Sequence, residues 1–79
     1  MVTVLRSGGL RVVIYLDDHE PAHVHVLGDG EAKFDLGVAS GTIALVWSRG
    51  FANADVRRAF RLVRAHRDEL IERWRNIHG

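Results

Sequence analysis

The sequence predicts an α+β fold, in which an antiparallel β-meander of four to five strands is covered on one face by a single long C-terminal helix. Two observations support this prediction. Residues 1–47 alternate between apolar and polar side chains and are interrupted by glycines, as in antiparallel strands. Residues 53–77 instead repeat apolar side chains at steps of three and four, as on one face of a helix. The 79 residues are enough for one domain, 1–79.

The alternation divides the first half of the chain into five short runs. These predicted strands cover 2–6, 10–16, 23–27, 31–36 and 42–47. The second run is apolar on both faces, so we expect it to lie in the middle of the sheet. Between the third and fourth runs, Gly28-Asp29-Gly30 predicts a tight hairpin that uses positive φ angles.

The predicted helix has one apolar stripe, formed by Val56, Phe60, Val63, Leu70, Trp74 and Ile77. The stripe keeps its phase through Ala65-His66-Arg67, so we expect an uninterrupted helix over 53–77, capped by Asn53. His66 interrupts the apolar stripe, and we expect it to be a hydrogen-bonded core histidine at the seam between helix and sheet. It could belong to the site only if the loop 17–25 folded over that seam. The predicted core comprises Phe34, Phe60, Val63, Leu70 and Trp74, with Trp47 also buried.

Composition restricts the classes of function. The chain has no cysteine, which excludes disulfides and thiolate metal sites. No stretch approaches the ~18–20 apolar residues of a membrane span, and the first residues lack the pattern of a secretory signal. We therefore expect a cytoplasmic protein without membrane association. Residues 1–48 carry three basic and six acidic side chains, whereas residues 49–79 carry eight and four. This asymmetry suggests an anionic partner for the second half, or attraction between the halves of one chain or of two copies.

His23 and His25 are the strongest candidates for site chemistry. Alternate residues of a strand point to the same side, so the two imidazoles can meet one metal ion. His19, or an oxygen of Asp17 or Asp18, could supply a third ligand, and imidazole ligands favour Zn²⁺ or Ni²⁺. The alternative is that Val24 and Val26 face the core, which leaves both histidines on a solvated sheet surface. Asp17-Asp18 is equally typical of a polar turn after a strand.

A second candidate site is a row of arginines on the predicted helix. Arg57, Arg61 and Arg64 follow i, i+4, i+7 spacing, and Arg58 lies beside them. Such a row suits phosphate or acidic-peptide recognition, although most rows of this kind are solvated helix faces. The row offers no interleaved aromatic platform and no recognisable RNA- or DNA-binding motif, so the pattern does not predict base-specific readout.

Four motifs together resemble the small bacterial domain-of-unknown-function family 4160 over nearly the whole length. They are the H-E-P-A-H-V-H-V segment 19–26, the E-A-K-F strand 31–34, the S-R-G-F turn 48–51 and the helical H-R-D-E-L…W segment 66–74. The resemblance implies a β-meander with a long C-terminal helix, and genes that lie beside a small partner and encode toxin–antitoxin components. Relatives usually have proline where this chain has Ala22, and serine where it has Ala52.

Three classes of function remain open. The first, which we prefer, is a protein-interaction module that binds a small protein encoded by a neighbouring gene, as one component of a toxin–antitoxin pair. The second is an enzyme, either a metal-dependent hydrolase centred on His23 and His25 or a small ribonuclease. The third is a regulator that binds RNA or other nucleic acid through the arginine-rich helix. Assembly into a homo-oligomer is compatible with each class.

Overall fold

The computed structural model describes the whole chain, Met1–Gly79, as one antiparallel sheet and two helices. The elements in chain order are β1 (Val2–Ser7), β2 (Leu10–Ile14), β3 (His23–Leu27), β4 (Glu31–Asp35), β5 (Ala44–Arg49), α1 (Asn53–Ala65) and α2 (Arg67–His78). The strands lie side by side in sequence order, and every neighbouring pair is antiparallel. The predicted α+β meander is therefore confirmed, with five strands.

The prediction of a single uninterrupted helix over 53–77 is wrong. His66 leaves the helical region, with φ −117° and ψ 20°, and separates α1 from α2. The amide of His66 donates to the carbonyl of Val63, one residue short of a helical bond, whereas the amide of Leu70 donates to the carbonyl of His66 in the helical pattern. A one-residue break hardly changes the phase of the apolar stripe, so the periodicity could not show it.

Contacts between Arg67 and the sheet accompany this break. The Arg67 guanidinium donates from Nε to the carbonyl of Leu36 at 2.8 Å and from Nη2 to the carbonyl of Gly37 at 2.9 Å. These bonds fix the first turn of α2 to the loop after β4. On the two sides of the break, α1 packs on β4 and α2 packs on β3. Neither helix has the length and apolarity that crossing a bilayer requires.

The hydrophobic core lies between one face of the sheet and the two helices. The sheet contributes alternate residues of β2, β3 and β4, and the helices contribute an apolar stripe whose fully buried members include Val63, Leu70 and Trp74. Phe60 is only half-buried and packs edge-on against Phe34, with ring centroids 6.1 Å apart. Of the predicted core residues, Trp47 alone lies on the opposite face of the sheet, where it is half-buried.

Three local predictions need correction. Ala52 precedes α1 and makes no side-chain cap, so Asn53 is the first helical residue rather than the cap. His66 is not a core residue, since its partly exposed ring contacts Glu69 on α2. Gly28 and Gly30 have no positive φ; a side chain on Gly30 would collide with the backbone of Arg49 and Gly50. Gly30 is thus required by the close approach of two chain segments.

Replacing Trp74 by alanine should lower the free energy of unfolding by about 3–5 kcal/mol, because this side chain is fully buried between α2 and the sheet. Urea denaturation followed by circular dichroism measures the change. Leu45 is a large apolar control that is 43% exposed, so Leu45→Ala should change the stability by less than about 0.5 kcal/mol. Equal effects of the two substitutions would contradict this packing.

Candidate functional site

The strand β3 buries both of its faces. Val24 and Val26 lie in the core beneath the helices, and neither is exposed at all. His23 and His25 point to the other face, where they are only 5% and 8% exposed. The valines face the core, as in the alternative considered for this strand, but the histidines do not lie on a solvated surface.

A tight turn after β2 brings a carboxylate to these histidines. The amide of Asp18 donates to the carbonyl of Tyr15 at 3.2 Å, and the amide of Tyr15 donates to Oδ2 of Asp18 at 3.3 Å. This pair of bonds folds the Asp18 side chain back over β3. Its Oδ2 lies 3.1 Å from Nε2 of His23 and 3.8 Å from Nε2 of His25. One ligand atom from each of the three residues falls within 4.8 Å of the others.

In each imidazole, the nitrogen that faces away from Asp18 is Nδ1, and it already donates a hydrogen bond. Nδ1 of His23 lies 2.9 Å from the carbonyl oxygen of Pro21, and Nδ1 of His25 lies 3.1 Å from Oε2 of Glu31. Both partners accept hydrogen bonds only, so each Nδ1 carries its hydrogen. In the neutral rings, each Nε2 therefore presents a lone pair toward Asp18. This arrangement matches metal sites in which the distal nitrogen of a ligating histidine donates to a carbonyl or carboxylate.

Aromatic rings hold the two imidazoles in place. Tyr15 packs edge-on against His25 with ring centroids 4.5 Å apart, and Trp47 lies 5.9 Å from the same ring. Trp74 lies 4.9 Å from His23 and is stacked on His78 at 3.8 Å. The indole of Trp74 also donates to Glu20 at 3.4 Å, which ties the end of α2 to the loop before β3.

Burial determines the protonation of the groups around the cluster. Burial lowers the pKa of His25 below its ordinary value of 6.5 and outweighs the opposing charges of Asp18 and Glu31. The neutral imidazole, which is the form that binds metals, is therefore favoured. Burial also raises the pKa of Tyr15 above 10.0, and the negative charges of Glu31 and Asp18 add to this effect. Tyr15 consequently stays a neutral phenol.

One side of the cluster opens into a cleft of about 480 Å³. Asp18 and His23 contribute to its wall, so a ligand in the cleft can reach them. Asp17 and His19, the other predicted ligands, also line this cleft but do not belong to the group of converging atoms. The structure thus brings Asp18, rather than Asp17 or His19, to the two histidines.

Glu31 and Tyr15 were not recognised from the sequence, although a signal for each was present. The hairpin pairs Leu27 with Glu31 and His25 with Lys33, which makes Glu31 a diagonal neighbour of His25 on the same face. Tyr15 is likewise a diagonal neighbour of His25, because Val13, two residues before it, is the direct partner of His25 on β2. The register of the sheet therefore predicts both neighbours once the strands are aligned.

The arginine row is separate from this cluster. Arg57, Arg61 and Arg64 are exposed on α1, and none of them pairs with a carboxylate. Arg58 differs, since its guanidinium binds Asp55 at 3.1 Å and the carbonyl of Gly8 at 2.9 Å. The guanidinium of Arg64 lies over the ring of Phe60 at 5.8 Å.

Both the histidine cluster and the arginine row lie within the part of the chain that a protein-family model matches. The model described as "Domain of unknown function (DUF4160)" matches residues 9–75. The chain belongs to this family. Curated proteins and solved structures give no significant match. Membership of DUF4160 confirms the resemblance found in the four motifs, whereas the association with toxin–antitoxin pairs stays a prediction. The DUF4160 description assigns no activity, so a function has to follow from the chemistry of the chain.

Acidification should destabilise the metal-free protein through His25. Since the pKa of this imidazole is lower in the folded chain than in the unfolded chain, the unfolded chain binds more protons below pH 6.5. The stability that the neutral ring contributes is fully present above pH 6.5 and is lost as the pH falls through the folded pKa. Urea denaturation measures the free energy of unfolding of the wild type and of His25→Gln between pH 7.5 and 5.0 in the presence of a chelator. The difference between these two free energies should become smaller at low pH. The exposed His19→Gln is the matched control, and a difference independent of pH for His25→Gln would refute the expectation.

Proposed function

We propose that the chain binds one divalent transition-metal ion through Nε2 of His23, Nε2 of His25 and an oxygen of Asp18. The observation that supports this proposal is the convergence of three lone-pair-bearing atoms, with both Nδ1 atoms already used as donors. Ligands at ~2.0–2.1 Å from a tetrahedral ion lie about 3.4 Å apart. The separations of 3.1 and 3.8 Å from the Asp18 oxygen are therefore close to those of a loaded site.

The donor set favours Zn²⁺, followed by Ni²⁺. Imidazole nitrogens suit such borderline ions, whereas Mg²⁺ requires more oxygen ligands than Asp18 alone offers. Two histidines and one carboxylate also suit Fe²⁺, so the same site is expected to discriminate poorly among these ions. The competing explanation is a proton on Nε2 of His23, which would form an ion pair with Asp18 and leave no ligand role for either residue.

Three protein ligands leave a coordination position free, and in this chain that position would face the cleft. A zinc ion with such a position lowers the pKa of bound water and polarises a carbonyl or phosphoryl oxygen. His19, which is exposed in the cleft wall, would be the group that exchanges protons with a ligand there. We therefore propose a hydrolytic role for this centre.

Calorimetric titration of chelator-treated protein with Zn²⁺ at pH 7.5 should show one site of micromolar affinity or tighter. His23→Ala, His25→Ala and Asp18→Asn should each abolish it, because each removes one of three ligands. Glu31→Gln should weaken binding by about 10–100-fold, since it loses only the group that orients His25.

Two neighbours of the cluster provide matched controls for this titration. Asp17→Asn removes the same charge from the adjacent residue, and His19→Ala removes an imidazole from the same loop; both should retain the site. Equal weak binding by the wild type and all ligand variants would mean that a proton, rather than a metal ion, links His23 and Asp18. If Asp17→Asn lost the metal site and Asp18→Asn retained it, the carboxylate ligand would be Asp17 rather than Asp18.

We propose protein interaction as a second function, because large apolar side chains are exposed on the edge strand β5 and in the loop before it. Leu45 and Val46 on the edge strand β5 are 43% and 52% exposed, and Val38 in the preceding loop is 47% exposed. Val46 lies at an irregularity in the pairing of β4 with β5. Such a bulge interrupts the backbone ladder of an edge, so a partner would dock mainly on the side chains. The small protein encoded by a neighbouring gene is the partner we expect.

Co-expression with the neighbouring gene's product tests this second function. Val46→Lys should abolish co-purification without changing the melting temperature, because a charge at an exposed position disrupts docking but not packing. Leu16→Lys, the same kind of change at an apolar residue that is 64% exposed outside β5 and the loop before it, is the control and should leave the complex intact. A complex that survives Val46→Lys and Leu45→Lys would show that the partner does not use these side chains.

A further inference from the structure

The sheet face that points away from the helices, which we call the outer face, has an apolar centre. Val13 of β2 points to this face and is fully buried, although it does not belong to the core beneath the helices. Larger residues of the same face are half-buried, and they are Tyr15, Leu27 and Trp47. The solvated face of an antiparallel sheet normally carries polar side chains. The outer face therefore differs from a solvated surface.

One end of the outer face is basic. The register of the strands aligns five residues across the sheet at this end, in the order Arg6, Arg11, Leu27, Glu31 and Arg49. We call this line of three arginines, one glutamate and one leucine the basic row. Arg49 pairs with Glu31 at 3.7 Å, whereas Arg6 and Arg11 lie directly opposite each other and form no ion pair. Like charges in that position destabilise an antiparallel strand pair, so a carboxylate from outside the chain would stabilise this one.

The other end of the outer face is acidic. The carboxylates that line the cleft at this end, which we call the acidic end, are Asp17, Asp18, Glu20 and Asp35. Lys33 is the only fixed cation among the residues that line the cleft. None of the four carboxylates pairs with a lysine or an arginine. Glu31 of the basic row and Asp35 of the acidic end begin and end β4, so the two ends lie about 13 Å apart along the strands.

A second copy of the chain is the partner whose charges fit both ends of the outer face at once. A two-fold axis that lies in the interface and perpendicular to the strands places the basic row of each copy over the acidic end of the other. Both contacts form together, because the two sides of a two-fold interface are the same surface. The middle of the face then meets itself, which puts Val13 and Trp47 between the two charged contacts. An apolar and aromatic centre with a polar rim is typical of protein interfaces.

Other classes of partner match only one end of the outer face. A nucleic acid would be attracted by the basic row but repelled by the acidic end, and a strongly basic protein would meet the reverse. Arg57, Arg61 and Arg64 belong to α1, which packs on the opposite face of the sheet, so they do not extend the basic row. The separation of charge within one face therefore favours a second copy over a partner of one charge.

We infer that the outer face is the interface of a homodimer of this chain. The face spans about 24 Å across the five strands and about 17 Å along them, which is about 400 Å² in projection. A dimer would bury about twice this area or more, which is at the lower end for specific interfaces. We therefore expect a reversible dimer with a micromolar dissociation constant. The inference requires neither a bound metal ion nor the partner expected at β5.

Sedimentation equilibrium in the presence of a chelator tests the inference. The wild type should show a monomer–dimer equilibrium that weakens as the salt concentration rises. Arg6→Glu/Arg11→Glu makes both ends of the face acidic, and Asp17→Lys/Glu20→Lys makes both ends basic. Each variant alone should raise the dissociation constant by about tenfold or more, because like charges then meet across the interface. An equimolar mixture of the two variants should dimerise again, since every contact joins opposite charges, and this recovery also shows that both variants fold.

Arg57→Glu/Arg61→Glu is the matched control, since it changes the net charge by the same amount at exposed positions of α1. This variant should dimerise as the wild type does. Equal loss of the dimer in the control would assign self-association to net charge and overturn the inference. A wild type that stays monomeric at millimolar concentration and low salt would also overturn it. So would a mixture of the two outer-face variants that remains monomeric although circular dichroism shows both to be folded.

Discussion

The double burial of β3 is the constraint on which the rest of the structure depends. A small chain has few apolar side chains with which to form a core. Because β3 is buried on both faces, it packs against the helices on one side and against the histidine cluster on the other. Val24 and Val26 meet the helices, whereas His23 and His25 meet the turn after β2 and the aromatic rings around it. Buried imidazoles must be hydrogen-bonded, and the two Nδ1 bonds meet that requirement while leaving each Nε2 directed at Asp18.

The helix break extends this arrangement to the other end of the molecule. By separating α1 from α2, it places one helix on β4 and the other on β3. Trp74 then reaches His23 and Glu20, so the same side chain closes the core and supports the cluster. Stability and site geometry are consequently coupled through Trp74, and substitution of this residue is expected to affect both. The exposed residues of α1 do not contact the cluster.

The distribution of charge gives the molecule two faces with different chemistry. The cleft beside His23 is acidic, whereas the exposed side of α1 carries Arg57, Arg61 and Arg64. The family match places the histidine cluster and most of the arginines within the DUF4160 region, at residues 9–75.

The sequence by itself determined the order of the strands, the core positions of Phe34, Val63, Leu70 and Trp74, and the placement of His23 and His25 on the same side of β3. Those features follow from alternation and from short connections, which are local. Only the tertiary structure decided that Asp18, rather than Asp17 or His19, meets the histidines, because the choice depends on how one turn folds back over β3. The tertiary structure also decided the break at His66 and the half-burial of Trp47. A one-residue kink does not alter the spacing of apolar residues, and the spacing does not show which face of a sheet is covered.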